Sequence, residues 1–137
     1  MSRSGYSEDC DNDWGAICWR GAVASAIKGR RGQAFLKEML CALDALPEHK
    51  LVAENLEADG AVCAIGAVGR GRGIDMSKID PEDKESVAAT FGVAPALAAE
   101  IAYINDEAAC GYWRAEETPE ARFIRVRKWV ESQVRGD

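Results

Sequence analysis

The chain has 137 residues, 47% of them apolar and 29% charged, with a formal net charge of −6 and a pI near 4.9. That length supports one compact domain with a core that needs neither disulfides nor metal, and that balance excludes a disordered chain. The acidic total opposes general nucleic-acid binding, because phosphate-backbone affinity comes from counterions released by a net basic surface.

"MSRSGYSEDCDNDW" is polar and acidic where a signal peptide would be apolar, and no apolar run approaches the roughly 20 residues that span a bilayer. A soluble protein that stays in a cytoplasm is therefore expected. Five cysteines, Cys10, Cys18, Cys41, Cys63 and Cys110, are widely spaced with no C-x-x-C pair, which fits reduced thiols. Cys18, Cys41 and Cys63 have apolar neighbours and read as small core residues. Clustered ligands for a metal are missing from the pattern, His49 being the sole histidine, so no metal or cofactor is expected.

Residues 1–12 read as a flexible acidic tail and residues 13–137 as one helical domain. From Trp14, the set Trp14, Ile17, Cys18, Gly21, Ala22 and Ser25 recurs at helical spacing, with Trp19, Val23, Ala26 and Ile27 on its flank and Asn12 or Asp13 as cap. Gly29 and Gly32 bracket Arg30 and Arg31 at a basic corner, which Lys28 enlarges. A second helix follows through Phe35, Leu36, Met39, Leu40, Leu43 and Leu46 until Pro47 stops it. In "LVAENLEADG", Leu51, Val52 and Leu56 suit a helical turn, while the Asp59-Gly60 turn signal before "AVCAI" suits a short hairpin or irregular arm leading into a helix over about 61–70.

Asp80-Pro81-Glu82 supplies a cap, a proline and an acid for a helix from Pro81 to Phe91, with Gly92 as its C-cap. Pro95 opens another helix, which Asn105-Asp106 ends. Thr118-Pro119-Glu120 starts the last one, whose apolar stripe is Phe123, Val126, Val130 and Val134. Arg122, Arg125 and Lys128 are expected to share its outer face. The expected fold is mainly α, a single compact domain of about six helices with at most a short β-hairpin near residues 51–64.

Three features invite a functional reading. "GAVGRGRG", Gly66 to Gly73, resembles a phosphate loop, yet no helix start follows it and the lysine and hydroxyl of a P-loop are missing, so it reads as a helix end. Residues 88–101, "AATFGVAPALAAEI", have helix-turn-helix spacing, but the second helix offers alanines and an acid where base reading needs Arg, Lys, Asn, Gln or Ser. For nucleophilic catalysis a base must stand near Ser or Cys, and one histidine makes that improbable from sequence. Candidate partner-binding residues are Arg30, Arg31, Arg70, Arg72, Arg122, Arg125 and Lys128.

"ADGAVCAIGAVG", "FGVAPALAAEIAYIND" and "TPEARFIRVRKWVE", together with "CWRGAVASAIKGRRGQAFLKEMLCALDALP", resemble uncharacterised small proteins of tailed bacteriophages and of prophages in proteobacteria. The resemblance rests on a D-G turn (Asp59, Gly60), a C-x-[LI]-G-x-[VL] helix (Cys63, Ile65, Gly66, Val68), an N-D pair (Asn105, Asp106) and a closing helix with Phe123 and Trp129. It implies a phage accessory role exercised by non-catalytic binding to a host protein, including inhibition of a defence system in the manner of an anti-CRISPR protein. It brings no catalytic residue. The alternatives are a nucleic-acid-binding regulator with the helix-turn-helix-like unit, or a structural or assembly protein that buries Trp14, Trp19 or Trp113 in an oligomer.

Overall fold

The computed structural model describes Arg3, residues 13–107 and residues 117–135, with the side chains of the first helix described from residue 18. Most of the proposed tail, Trp113, Cys10, Cys110 and the side chains of Trp14 and Ile17 lie outside the described residues. Arg3, the one described residue of the tail segment, is buried.

Six α-helices and one hairpin make up the regular structure of the described residues: α1 Asp13–Lys28, α2 Arg30–Asp44, β1 Glu57–Ala58, β2 Ala61–Val62, α3 Ala64–Arg72, α4 Lys84–Phe91, α5 Pro95–Asp106 and α6 Pro119–Gln133, with a 3-10 turn at Met76–Lys78. The mainly helical single domain with a small hairpin is thus what the chain forms. Glu57 pairs with Val62 and Ala58 with Ala61 across Asp59-Gly60, whose φ angles of 52° and 81° are those of a tight hairpin turn.

Helix α5 is the centre. It packs against α1, α3, α4 and α6, and nearly every residue from Ala96 to Asn105 is buried, Glu100 included. A helix buried all round is a core helix. It meets α4 at 107°, the chain turning through Gly92, whose φ of 74° caps α4 as expected. The spacing of a helix-turn-helix is present, but its second helix has no free face to lay in a groove.

Along α2, Phe35, Leu36, Met39 and Leu43 are buried, and each such side chain contributes about 1.5–3 kcal/mol. In α1 the buried side is Val23 and Ile27, with Trp19 and Ala26 packed beside them. Cys18, Gly21, Ala22 and Ser25, expected to lead the stripe, are exposed instead. The large residues decide the face, because small ones remove too little apolar area from water to do so. Cys41 is also exposed, on the outer side of α2 with Ala34 and Ala45, so only Cys63 of the three described cysteines is a core residue.

Helix α4 starts later than Pro81. Asp80 accepts the Glu82 N–H at 3.0 Å and closes a turn, and Asp83 caps the helix by accepting the Ser86 N–H at 3.1 Å. Thr118 caps α6 as expected, accepting the Ala121 N–H. Among the described residues no single helix is long and apolar enough to cross a membrane.

Candidate partner-binding site at the basic corner

"GAVGRGRG" is most of α3. Its last glycine, Gly73, takes φ 71° and ends the helix, and no phosphate cradle forms. A Cβ on Gly66 would lie 2.0 Å from the Leu56 carbonyl oxygen, so close packing of the helix on the hairpin arm requires glycine there. The exit of the helix is a strut. Arg72 forks onto Glu38 of α2 at 2.8 and 2.6 Å, donates to the Phe91 carbonyl at 3.2 Å, and lies over the rings of Phe35 and Phe91. Arg70 donates to the Gly60 carbonyl at 2.7 Å and pairs with Glu57, pinning the hairpin turn. Both arginines are engaged within the fold.

The α6 cluster is not one outer face. Arg122 is 9% exposed; it donates to the Leu51 carbonyl at 3.1 Å and lies 3.4 Å from Glu117. Arg125 forks onto Glu117 at 2.7 and 2.9 Å and also donates to the carbonyls of Ile104 and Asn105. These are open carbonyls at the C-terminal end of α5, where a cation is favoured. Arg127 forks onto Asp44 of α2 at 2.6 and 3.0 Å. Lys128 alone of the α6 candidates is exposed and without an ion pair among the described residues.

Hydrogen bonds from Arg125, Arg72 and Arg127, each the largest cause at its site, hold the carboxyls of Glu117, Glu38 and Asp44 below their ordinary pKa range. Those carboxylates are therefore committed to the scaffold. Among the described residues no three His, Cys, Asp or Glu side chains are grouped to hold a metal ion.

Besides Lys128, the candidate cations that remain outward without an ion pair among the described residues are those of the corner between α1 and α2. Lys28, Arg30 and Arg31 are all exposed and form no ion pair among the described residues. The corner is tight, because a Cβ on Gly32 would meet the Ala26 carbonyl oxygen at 1.9 Å. Gln33 holds it from below: its Nε2 donates to the carbonyls of Ile27 at 2.8 Å and Gln133 at 3.0 Å, and its Oε1 accepts the Arg135 N–H at 2.8 Å. One amide thus ties the ends of α1 and α6 together.

A groove of about 340 Å³ runs beside the corner, with Val23, Ile27 and Trp129 as apolar lining, Lys28 and Arg135 as cations, and the Arg20–Glu100 ion pair on its wall. Lys28 belongs to both features. Cations beside the partly exposed Trp129 suit an acidic segment that also presents an apolar side chain. Arg135 and Gln33 were not distinguishable in the sequence. A lone arginine near the end of a chain and a glutamine on a helix carry no pattern, and Trp129 lies off the apolar stripe of Phe123, Val126, Val130 and Val134.

Compared with protein-family models, with curated proteins and with solved structures, the chain has no significant match in any of the three.

Proposed function

We propose that this protein acts by non-catalytic binding, engaging an acidic surface of a partner protein through Lys28, Arg30 and Arg31 and the adjoining groove at Trp129. The observation that carries the reading is the division of labour among the basic residues. Arg70, Arg72, Arg122, Arg125 and Arg127 are tied to carboxylates and carbonyls of the fold, while the corner cations face solvent on a rigid support. The phage-like sequence features make the partner a host protein of an infected or lysogenic bacterium, with a defence component such as a CRISPR-Cas effector as the first target to examine. On that reading the protein is an accessory inhibitor.

An isolated cluster of three cations on a chain of charge −6 favours an acidic protein over nucleic acid, and Trp129 in the groove adds apolar area that a phosphate backbone does not use. Expression in cells carrying defined immune systems, scored by phage plating, tests the biological half of the proposal. Restored plating supports it, and unchanged plating across the panel contradicts it. Titration with DNA and RNA duplexes at about 50 mM salt tests the other: binding that collapses with added salt would transfer the corner to nucleic acid.

A further inference from the structure

The N-D pair and the Cys63 helix start converge on one buried side chain, Arg3. Its Nε donates to Asp106 Oδ2 at 2.6 Å and its Nη2 to Asp106 Oδ1 at 2.9 Å, while Nη1 reaches the Cys63 sulfur at 3.5 Å. Both partners are sequestered, with side chains 3% and 5% exposed.

The carboxylate is seated by groups that do not depend on Arg3. Asp106 Oδ1 accepts the Glu54 N–H at 3.0 Å and the Asn105 side-chain N–H at 2.8 Å. Asn105 is fixed in turn, donating to the Val52 carbonyl and accepting the Ala64 N–H at 3.1 Å. Glu54 takes a φ of 69°, a strained conformation for a residue with a side chain, and so aims its N–H at Asp106. Cys63 caps α3, its sulfur accepting the Gly66 N–H at 3.3 Å. The scaffold therefore holds a buried carboxylate, with a sulfur beside it, in the geometry of a planar two-point donor. An arginine fork fits that arrangement, whereas a lysine ammonium meets it at one point.

The seat adjoins an open cavity of about 490 Å³ lined by Arg3, Glu54, Asn55, Asp80, Pro81 and Glu82. Three carboxylates stand there in addition to Asp106, more negative charge than one guanidinium offsets. Such a forecourt concentrates basic segments at the entrance.

We propose that Asp106, seated by Asn105, Glu54 and Cys63, is an arginine-binding socket filled in the free chain by Arg3, and that an arginine side chain of a basic peptide competes for the same seat. Arg3 then acts as a tethered occupant. Its effective concentration is high, and any arginine arriving from outside binds with an affinity reduced by the fraction of time the seat is taken.

The test uses the full chain with Arg3→Ala, alone and combined with Asp106→Asn. Arg3→Ala is expected to melt several degrees below wild type. About 20 mM L-argininamide should recover a substantial part of the loss while L-lysinamide at equal ionic strength does not, and neither should move wild type. Hexa-arginine, followed by calorimetry, should bind Arg3→Ala about tenfold or more tightly than wild type, as expected when a resident competitor is removed. The added Asp106→Asn should abolish the gain. If Arg3→Ala does not fold unaided, refolding in argininamide but not lysinamide reads the same socket. Melting of Arg3→Ala at the wild-type temperature, equal effects of the two amides, or hexa-arginine binding that ignores Arg3 and Asp106 would each overturn the proposal.

Discussion

Arg72 joins Glu38 through two hydrogen bonds of 2.8 and 2.6 Å and so fastens the end of α3 to the middle of α2. A partly exposed ion pair alone contributes little, about 0–1 kcal/mol, but this guanidinium also serves the Phe91 carbonyl and two aromatic faces. Arg72→Ala should therefore lower unfolding stability by about 1–2 kcal/mol in urea titration, as the sum of such contributions. Partner binding by the corner should be unchanged, which separates the strut from the recognition surface.

Gly66→Ala tests the close approach of α3 to the hairpin arm. The added methyl would lie 2.0 Å from the Leu56 carbonyl oxygen, a backbone atom that cannot swing aside. A loss of about 3 kcal/mol or more is expected in chemical denaturation, since overpacking against rigid backbone is among the costly substitutions. An alanine there that melts like wild type would show that α3 sits further from the hairpin arm.

Asn105 is fully buried and bonds to α3, to the arm at Val52 and to Asp106. Removing its amide leaves the Ala64 N–H and the Val52 carbonyl without that partner, so Asn105→Ala should cost about 2–4 kcal/mol. Thermal unfolding by circular dichroism checks this, and retention of the wild-type midpoint would contradict it.

The pH dependence follows from Glu117, Glu38 and Asp44, whose folded pKa values are lowered chiefly by hydrogen bonds from Arg125, Arg72 and Arg127. A group depressed on folding stabilises the native state fully above its unfolded value, about 4.3 for Glu and 3.9 for Asp, and loses that contribution as pH falls through the folded value. With respect to these groups, urea midpoints should hold level from about pH 8 to 6 and fall below about pH 4.5. Glu117→Gln should lower the neutral plateau and make the acid fall shallower.

The order of the helices was legible because their boundaries rest on local chemistry: Gly73 and Gly92 at positive φ, Pro95 and Pro119 in first turns, Thr118 as a cap, Asp59-Gly60 in the hairpin. Facing was harder. The small residues of α1 have a helical period without enough bulk to choose a side, and Val23 and Ile27 chose it. Charge misled most, because an arginine looks the same in sequence whether it meets solvent, as Arg30 does, or caps a neighbouring helix, as Arg125 does. Which of the two occurs depends on carbonyls and carboxylates brought near by tertiary packing, such as Ile104 and Glu117, and no spacing rule along one segment reveals them.

Recognition through the basic corner is tested by quantitative capture from infected or lysogenic bacterial cells with wild type and with the Lys28→Ala, Arg30→Ala, Arg31→Ala triple variant, alongside the melting temperature of each. An acidic protein should be retained by wild type, lost with the triple variant, and bound directly by purified wild type in calorimetry, with the two melting temperatures alike. An identical set of proteins retained by both chains would contradict recognition through the corner.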